Sequence, residues 1–293
     1  MGKNMKIALI VSLCCFVFGI MLTGGAALIL FSAEKNEGVA GLVDCEIPID
    51  KIQSADFRIL DEPLLIQVGG SPGLKWTETH NGTYTVEGIE SGALVFSREN
   101  RGMGFYWNRQ GFHVPRPGDF LRLIPFAGRP SASNRPVVLT LPREHPVLET
   151  LNLTSAASPL AAENIKIGKL EGIAANGEVT LEDCRIDWLT LNGANIECRV
   201  SGGELGKIKL NGANAELYLD NTTMLSGVDI NGMNAQFTGS LPGYLSDYTF
   251  KSEGMNAELV INGKNYPGNQ TVGTGSVRVS ASGMNAELDI TVK

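Results

Sequence analysis

The chain has 293 residues, a formal net charge of −7 and 43% apolar residues, enough for a sizeable core. The acidic balance excludes a general nucleic-acid binder, because neutralising phosphates takes a surplus of Lys and Arg. Five cysteines are too few for a disulfide scaffold, and with no Cys-x-x-Cys and no His beside them we expect no metal and no other cofactor.

Residues 7–31 carry no charge over 25 positions. As a helix that run is roughly 37 Å long, against a hydrocarbon core of ~30 Å. It exceeds the ~7–15 apolar residues of a signal-peptide core, and no clean Ala-x-Ala site follows it. Leu13 ahead of Cys14 is also a poor fit to the small residue of a lipoprotein signal. The run is therefore predicted to be one uncleaved transmembrane helix. Lys3 and Lys6 precede it, while Glu34, Lys35 and Glu37 follow. The positive-inside rule then puts a short tail, residues 1–6, in the cytoplasm and everything beyond the span outside. The expected localisation is the cell membrane, single-pass, with an extracytoplasmic C-terminal domain joined by a linker at 32–43.

Residues 44–143 read as a β-rich N-terminal segment. Gly69-Gly-Ser71-Pro-Gly73 fits the G-x-S-x-G pattern of a nucleophile elbow, which must join a strand to a helix. Here Leu-Ile-Gln-Val at 65–68 precedes and Lys-Trp-Thr-Glu-Thr at 75–79 follows, so a hairpin turn is predicted instead. From 98 to 143 there are eight arginines, with Phe105, Tyr106, Trp107 and Phe112 among them. Arg101, Arg109, Arg116 and Arg122, with Tyr106 and Trp107, are candidate binding residues for an anionic or ring-bearing ligand such as an anionic cell-wall polymer. The plainer reading is a pair of hairpins capping the region that follows. His80, His113 and His145 fall in separate segments, so no triad and no catalytic residue is expected.

Residues 144–293 repeat. Asn-Gly-Ala-Asn-Ile-Glu at 192–197 returns as Asn-Gly-Ala-Asn-Ala-Glu at 211–216 and Asn-Gly-Met-Asn-Ala-Gln at 231–236. Glu-Gly-Met-Asn-Ala-Glu at 253–258 and Ser-Gly-Met-Asn-Ala-Glu at 282–287 follow, and Ala-Ala-Asn-Gly-Glu at 174–178 is a degenerate copy. The acidic position falls at 178, 197, 216, 236, 258 and 287, with spacings of 19, 19, 20, 22 and 29. A period near 20 predicts an all-β fold, a parallel β-solenoid (β-helix) of about 19–22-residue coils, with 241–247 and 262–275 as inserted loops. Period-two alternation points Val179, Cys198, Leu217, Phe237, Leu259 and Leu288 inward, stacked in that order.

With Pro-Val-Val-Leu-Thr-Leu-Pro at 136–142, Leu-Glu-Thr-Leu-Asn-Leu-Thr-Ser at 148–155 and the Gly-centred copies, the chain resembles a bacterial adhesin-like family of β-strand-repeat proteins. That family is a domain of unknown function found on membrane-anchored envelope proteins. The resemblance covers about residues 49–293 and implies a β-solenoid outside the membrane, without implying any reaction.

Asn176, Asn195, Asn214, Asn234, Asn256 and Asn285 are predicted to stack at one corner, their amides bonding coil to coil and to turn backbone. Polar recognition of a glycan is the alternative use. Glu178, Glu197, Glu216, Glu258 and Glu287 point outward, compensated by solvent or by cations such as Arg199; a divalent cation shared by successive coils is the functional reading. The final strand, 284–292, is expected at the end of the stack. Either the 262–275 insertion folds over that end or it pairs with a second molecule as a homodimer. The function expected is a membrane-anchored binding or scaffolding (adhesin-like) module of the cell envelope, not an enzyme, with an anionic wall polymer or an envelope protein as partner. The alternatives are a regulatory component of an envelope-stress system acting through a membrane partner and, less favoured, a carbohydrate-active enzyme.

Overall fold

The computed structural model describes residues 42–49, 51–79, 83–99, 107–108, 111–112, 135–144 and 146–293. Contacts divide the chain into two units, and nearly everything described belongs to the one comprising Val43–Glu78, Gly82–Glu99 and Ser133–Lys293. The fold is all-β. Before residue 145 it has β1 (Leu42–Pro48), β2 (Ser54–Arg58), β3 (Leu64–Gly69), β4 (Gly73–Thr79), β5 (Thr83–Glu87), β6 (Ala93–Glu99), β7 (Trp107–Asn108), β8 (Gly111–Phe112) and β9 (Val137–Pro142). After it come β10 (Val147–Ser155), β11 (Leu160–Glu163), β12 (Lys166–Glu182), β13 (Arg185–Ser201), β14 (Glu204–Asp220) and β15 (Thr223–Leu241). The last four are β16 (Tyr248–Ile261), β17 (Lys264–Pro267), β18 (Thr271–Val272) and β19 (Val277–Val292). Among the described residues no helix is long and apolar enough to cross a membrane; residues 7–31 lie outside them. In the other unit β7 and β8 pair with each other, antiparallel.

Each long strand bends once and contributes to two rows of parallel pairing. The 19-residue repeat sets the register: β12, β13 and β14 pair residue for residue, Leu170 with Leu189 with Ile208 and Val179 with Cys198 with Leu217. Shorter strands continue both rows in the N-terminal direction. β10, β2 and β6 extend the first row, whereas β11, β3 and β9 extend the second. Parallel pairing therefore runs without a break across residue 144. Alternate residues point inward, and the inward rows are apolar in every pass. Leu64, Leu160, Val179, Cys198, Leu217, Phe237, Leu288 and Leu259 form one such row, all buried. Each buried side chain of this size contributes ~1.5–3 kcal/mol, so the repeat supplies its own core.

The order of passes departs from the sequence order at both ends. β19 lies between β15 and β16, paired in parallel with each. The final strand is thus interior, which corrects the expectation that it forms an exposed end, and the inward row runs Phe237, Leu288, Leu259. The outer edge belongs to β16, and the 262–275 insertion returns along it: β17 pairs antiparallel with Glu258–Ile261 and β18 with Phe250–Lys251. Asn269 completes the cover by holding both backbone groups of Gly254, accepting from its N–H at 2.9 Å and donating to its carbonyl at 3.0 Å. A returning strand can cover only the strand it follows, so that strand has to be outermost. The other end obeys the same logic. β6 and β9 lie outside β2 and β3, with antiparallel β5 on β6 and antiparallel β4 on β9. Because β9 pairs with both β3 and β4, residues 69–73 cross the end of β9 and do not close the hairpin expected there.

Glu62, between β2 and β3, fastens this first end. Its buried carboxylate accepts from Tyr84 Oη at 2.5 Å, Arg98 Nη1 at 2.8 Å and the Leu60 N–H at 3.0 Å. Tyr84 comes from the covering strand β5 and stacks on Phe96 of β6, ring centroids 4.8 Å apart. Burial by itself pushes the Glu62 carboxyl up, but the Tyr84 hydrogen bond and the Arg98 charge outweigh it and hold the group below the ordinary carboxyl value.

Leu217→Asp places an unpaired carboxylate in the core and is expected to cost several kcal/mol, on the order of 3–5, whereas Glu216→Gln on the outer side leaves the melting temperature nearly unchanged. Equal melting temperatures for the two variants would reverse the assignment of faces. For Glu62, the depressed folded-state pKa means stabilisation that is present above the unfolded-state value and lost as pH falls through the folded one. Stability measured from about pH 6 down to about pH 3 should therefore drop more steeply for the wild type than for Glu62→Gln; parallel curves would show that the clamp contributes nothing to acid sensitivity.

Candidate functional site

The bend between the two rows is built by the repeated hexad. Its glycine is required by close approach and not by a left-handed backbone: a Cβ on Gly193 would land on the carbonyl of Ala174, one on Gly232 on that of Gly212, and one on Gly283 on that of Gly232. Successive bends thus stack backbone on backbone. This tight stacking brings equivalent side chains to one strand spacing, ~4.8 Å.

The second Asn of the hexad forms a continuous ladder through six passes. Asn195 donates to Asn176 at 2.7 Å, Asn214 to Asn195 at 2.6 Å and Asn234 to Asn214 at 2.6 Å. Asn285 then donates to Asn234 at 2.6 Å and Asn256 to Asn285 at 2.8 Å, following the spatial order of the passes. Every bond runs in one direction, Nδ2 to Oδ1. The first Asn of the hexad forms a second ladder: Asn211 donates to Asn192 at 2.8 Å, Asn231 to Asn211 at 3.3 Å, and Ser282 Oγ to Asn231 at 2.8 Å. The sequence signal for this row is the Asn-Gly pair at 192–193, 211–212 and 231–232, a pair that ordinarily marks a turn.

Two residues beyond the first ladder, Glu178, Glu197, Glu216, Gln236, Glu287 and Glu258 line up in register. Arg199 pairs with Glu197 and lies over the Tyr218 ring at 4.3 Å, while Tyr218 donates to Glu216 at 2.8 Å. The Glu216 hydrogen bond, with burial adding to it, pushes the Tyr218 phenol up. Between the amide and acid rows run two shallow grooves. One, of about 440 Å³, is lined by Asn176, Glu178, Asn195, Glu197, Asn214 and Glu216. The other, of about 320 Å³, is lined by Asn234, Gln236, Asn256, Glu258, Asn285 and Glu287 together with Asn214 and Glu216. The arrangement offers evenly spaced donors and acceptors along an open surface, which suits hydrogen bonding to an extended polar ligand. Behind it the Cys198 thiol is buried and pushed up to about 12 by burial, which keeps it an inert core residue.

Of the other candidates, Arg101, Arg109, Arg116, Arg122 and Tyr106 lie outside the described residues, as do His80, His113 and His145. Trp107 is in β7, of which only the backbone pairing is described.

Breaking the amide ladder in its middle should cost more than breaking it at its end. Asn214→Ala removes two ladder bonds and is expected to destabilise by about 1–2 kcal/mol, and Asn256→Ala, which removes one, by about half of that. Urea unfolding of both variants measures the ratio; equal and negligible losses would show that the ladder does not hold the bends together.

No family model matches the chain, and no curated protein matches its sequence. Among solved structures the chain is similar to a crystal structure of a "putative cell adhesion protein" from Clostridium sporogenes ATCC 15579, at 10% identity, over 87% of this chain and 100% of that one, with a TM-score of 0.26.

Proposed function

We propose that the chain is a binding or scaffolding module of the cell envelope, anchored through residues 7–31, whose stacked passes form a parallel β-solenoid of the adhesin-like kind. The observation that carries this reading is the polar bend: two amide ladders and an acid row, repeated pass after pass along open grooves. Such a surface has no single focus where reacting groups converge, but it matches a ligand that is itself extended and repetitive. Cell-wall polymers are of that chemistry. The uncharged 25-residue run supports placement beside them, and the arginines at 101, 109, 116 and 122 supply attraction to an anionic polymer. On this reading the protein holds glycans without turning them over.

Retention of the full-length protein in detergent on isolated cell walls tests the proposal. Saturable retention is expected, weakening as salt rises because the anionic component is screened, and reduced by the fourfold Arg→Gln variant at 101, 109, 116 and 122. Retention that is unaffected by both salt and the variant removes the anionic polymer as partner, and absence of retention removes the wall as ligand.

A further inference from the structure

The residue just before the ladder asparagine changes character along the stack. In β12, β13 and β14 it is Ala175, Ala194 and Ala213; in the next three passes in space, β15, β19 and β16, it is Met233, Met284 and Met255. These methionines are 55%, 53% and 79% exposed. Alanine fills the same position in three passes that make the same bend, so the geometry does not need a larger side chain. Three large apolar side chains left in water gain no burial either. Their common property is the thioether. Methionine is unbranched, with three rotatable bonds and a polarisable sulfur, and neighbouring passes are ~4.8 Å apart. Three sulfurs from consecutive passes can therefore converge on one ion.

We propose that Met233, Met284 and Met255 form a binding site for a soft monovalent cation of the Cu(I) and Ag(I) class. Thioether sulfur selects such ions, whereas calcium and magnesium require oxygen ligands. Three residues on in the passes of Met284 and Met255, Glu287 and Glu258 of the acid row add a negative field that concentrates a cation without competing for it as a soft ligand. The site goes beyond the wall-binding reading and does not depend on it. Its middle ligand is Met284, because β19 lies between β15 and β16. In chain order the middle one would be Met255.

The test is a titration of the full-length protein, carrying methionine labelled with carbon-13 at its methyl group, with Ag(I) as a redox-inert probe. The chain has eight methionines, and the buried Met224 is an internal control. The methyl signals of Met233, Met284 and Met255 should shift together and saturate at one ion per chain, with Met224 unmoved. Met284→Leu should weaken binding by about 10-fold or more, since it leaves the remaining sulfurs two strand spacings apart, about 9–10 Å. Met233→Leu and Met255→Leu should weaken it less. Replacement by leucine at these exposed positions leaves the core untouched, so an unchanged melting temperature certifies each variant. The proposal is overturned if the three methyls do not shift, if they saturate independently, or if Met255→Leu weakens binding more than Met284→Leu. Silver bound only through cysteines moves none of these methyls and counts against it.

Discussion

A parallel pass can satisfy its backbone only through the passes above and below it, and every other feature of this protein depends on that requirement. An N–H or carbonyl without its neighbour in the next pass is an unmade hydrogen bond, costly wherever water is excluded. The 19-residue spacing keeps β12, β13 and β14 in strict register. Once the backbone is in register, each side chain necessarily meets its equivalent one pass on. Like is placed on like. For leucines the consequence is a core, and for asparagines it is a ladder, because an amide is its own hydrogen-bonding complement. For glutamates it is repulsion, which Arg199, the Tyr218 hydroxyl and the interruption at Gln236 relieve.

The same requirement makes the two ends of the stack its weak points. A first or last pass has one side without a partner, an open template for association. Both ends of this protein are closed by the same device, an antiparallel strand laid on the outermost pass, and both show the same inversion of order. At one end β19 lies one pass in from the edge, and at the other β1 lies against the covering strand β4. Where Glu62 ties the covering strand β5 to the body through Tyr84, Asn269 does the equivalent work at the other end by imitating the backbone of a further pass.

Much of this was legible in the sequence. The hexad gave the repeat, the period-two pattern placed Leu217 and Phe237 inside, and the recurring asparagine identified the residues that stack. The order of the last two passes was not legible, because a repeat pattern states which residues are equivalent and not which are adjacent. Spacings of 22 and 29 are met equally well by inserted loops in a sequential stack and by an inverted one; only the need to cover an edge separates them. The role of the glycines is hidden from the sequence for a related reason. Asn-Gly normally signals a turn with a left-handed residue, but here the glycine is selected by the carbonyl of the neighbouring pass, a contact made ~20 residues away in sequence. Residues with left-handed backbone sit at the other bend, where Asn164, Asp183 and Asn221 have φ of 56°, 49° and 51°. The Glu62 clamp gave no sequence signal, since Glu62, Tyr84 and Arg98 belong to three separate segments.

The single direction of the amide ladder follows from its continuity. If one asparagine in the row were turned over, its Oδ1 would face the Oδ1 of one neighbour and its NH2 the NH2 of the other, so two bonds would be replaced by two repulsions. Orientation is therefore a property of the whole row, fixed for all six residues together, and aligned amides polarise one another so that each bond strengthens the next. The row then resembles a helix in carrying a net dipole along its length, with donors directed toward Asn176 and acceptors toward Asn256. The ladder thus gives a stack of nearly identical passes a polarity, and a ligand that lies along the grooves meets a different electrostatic end depending on which way it runs.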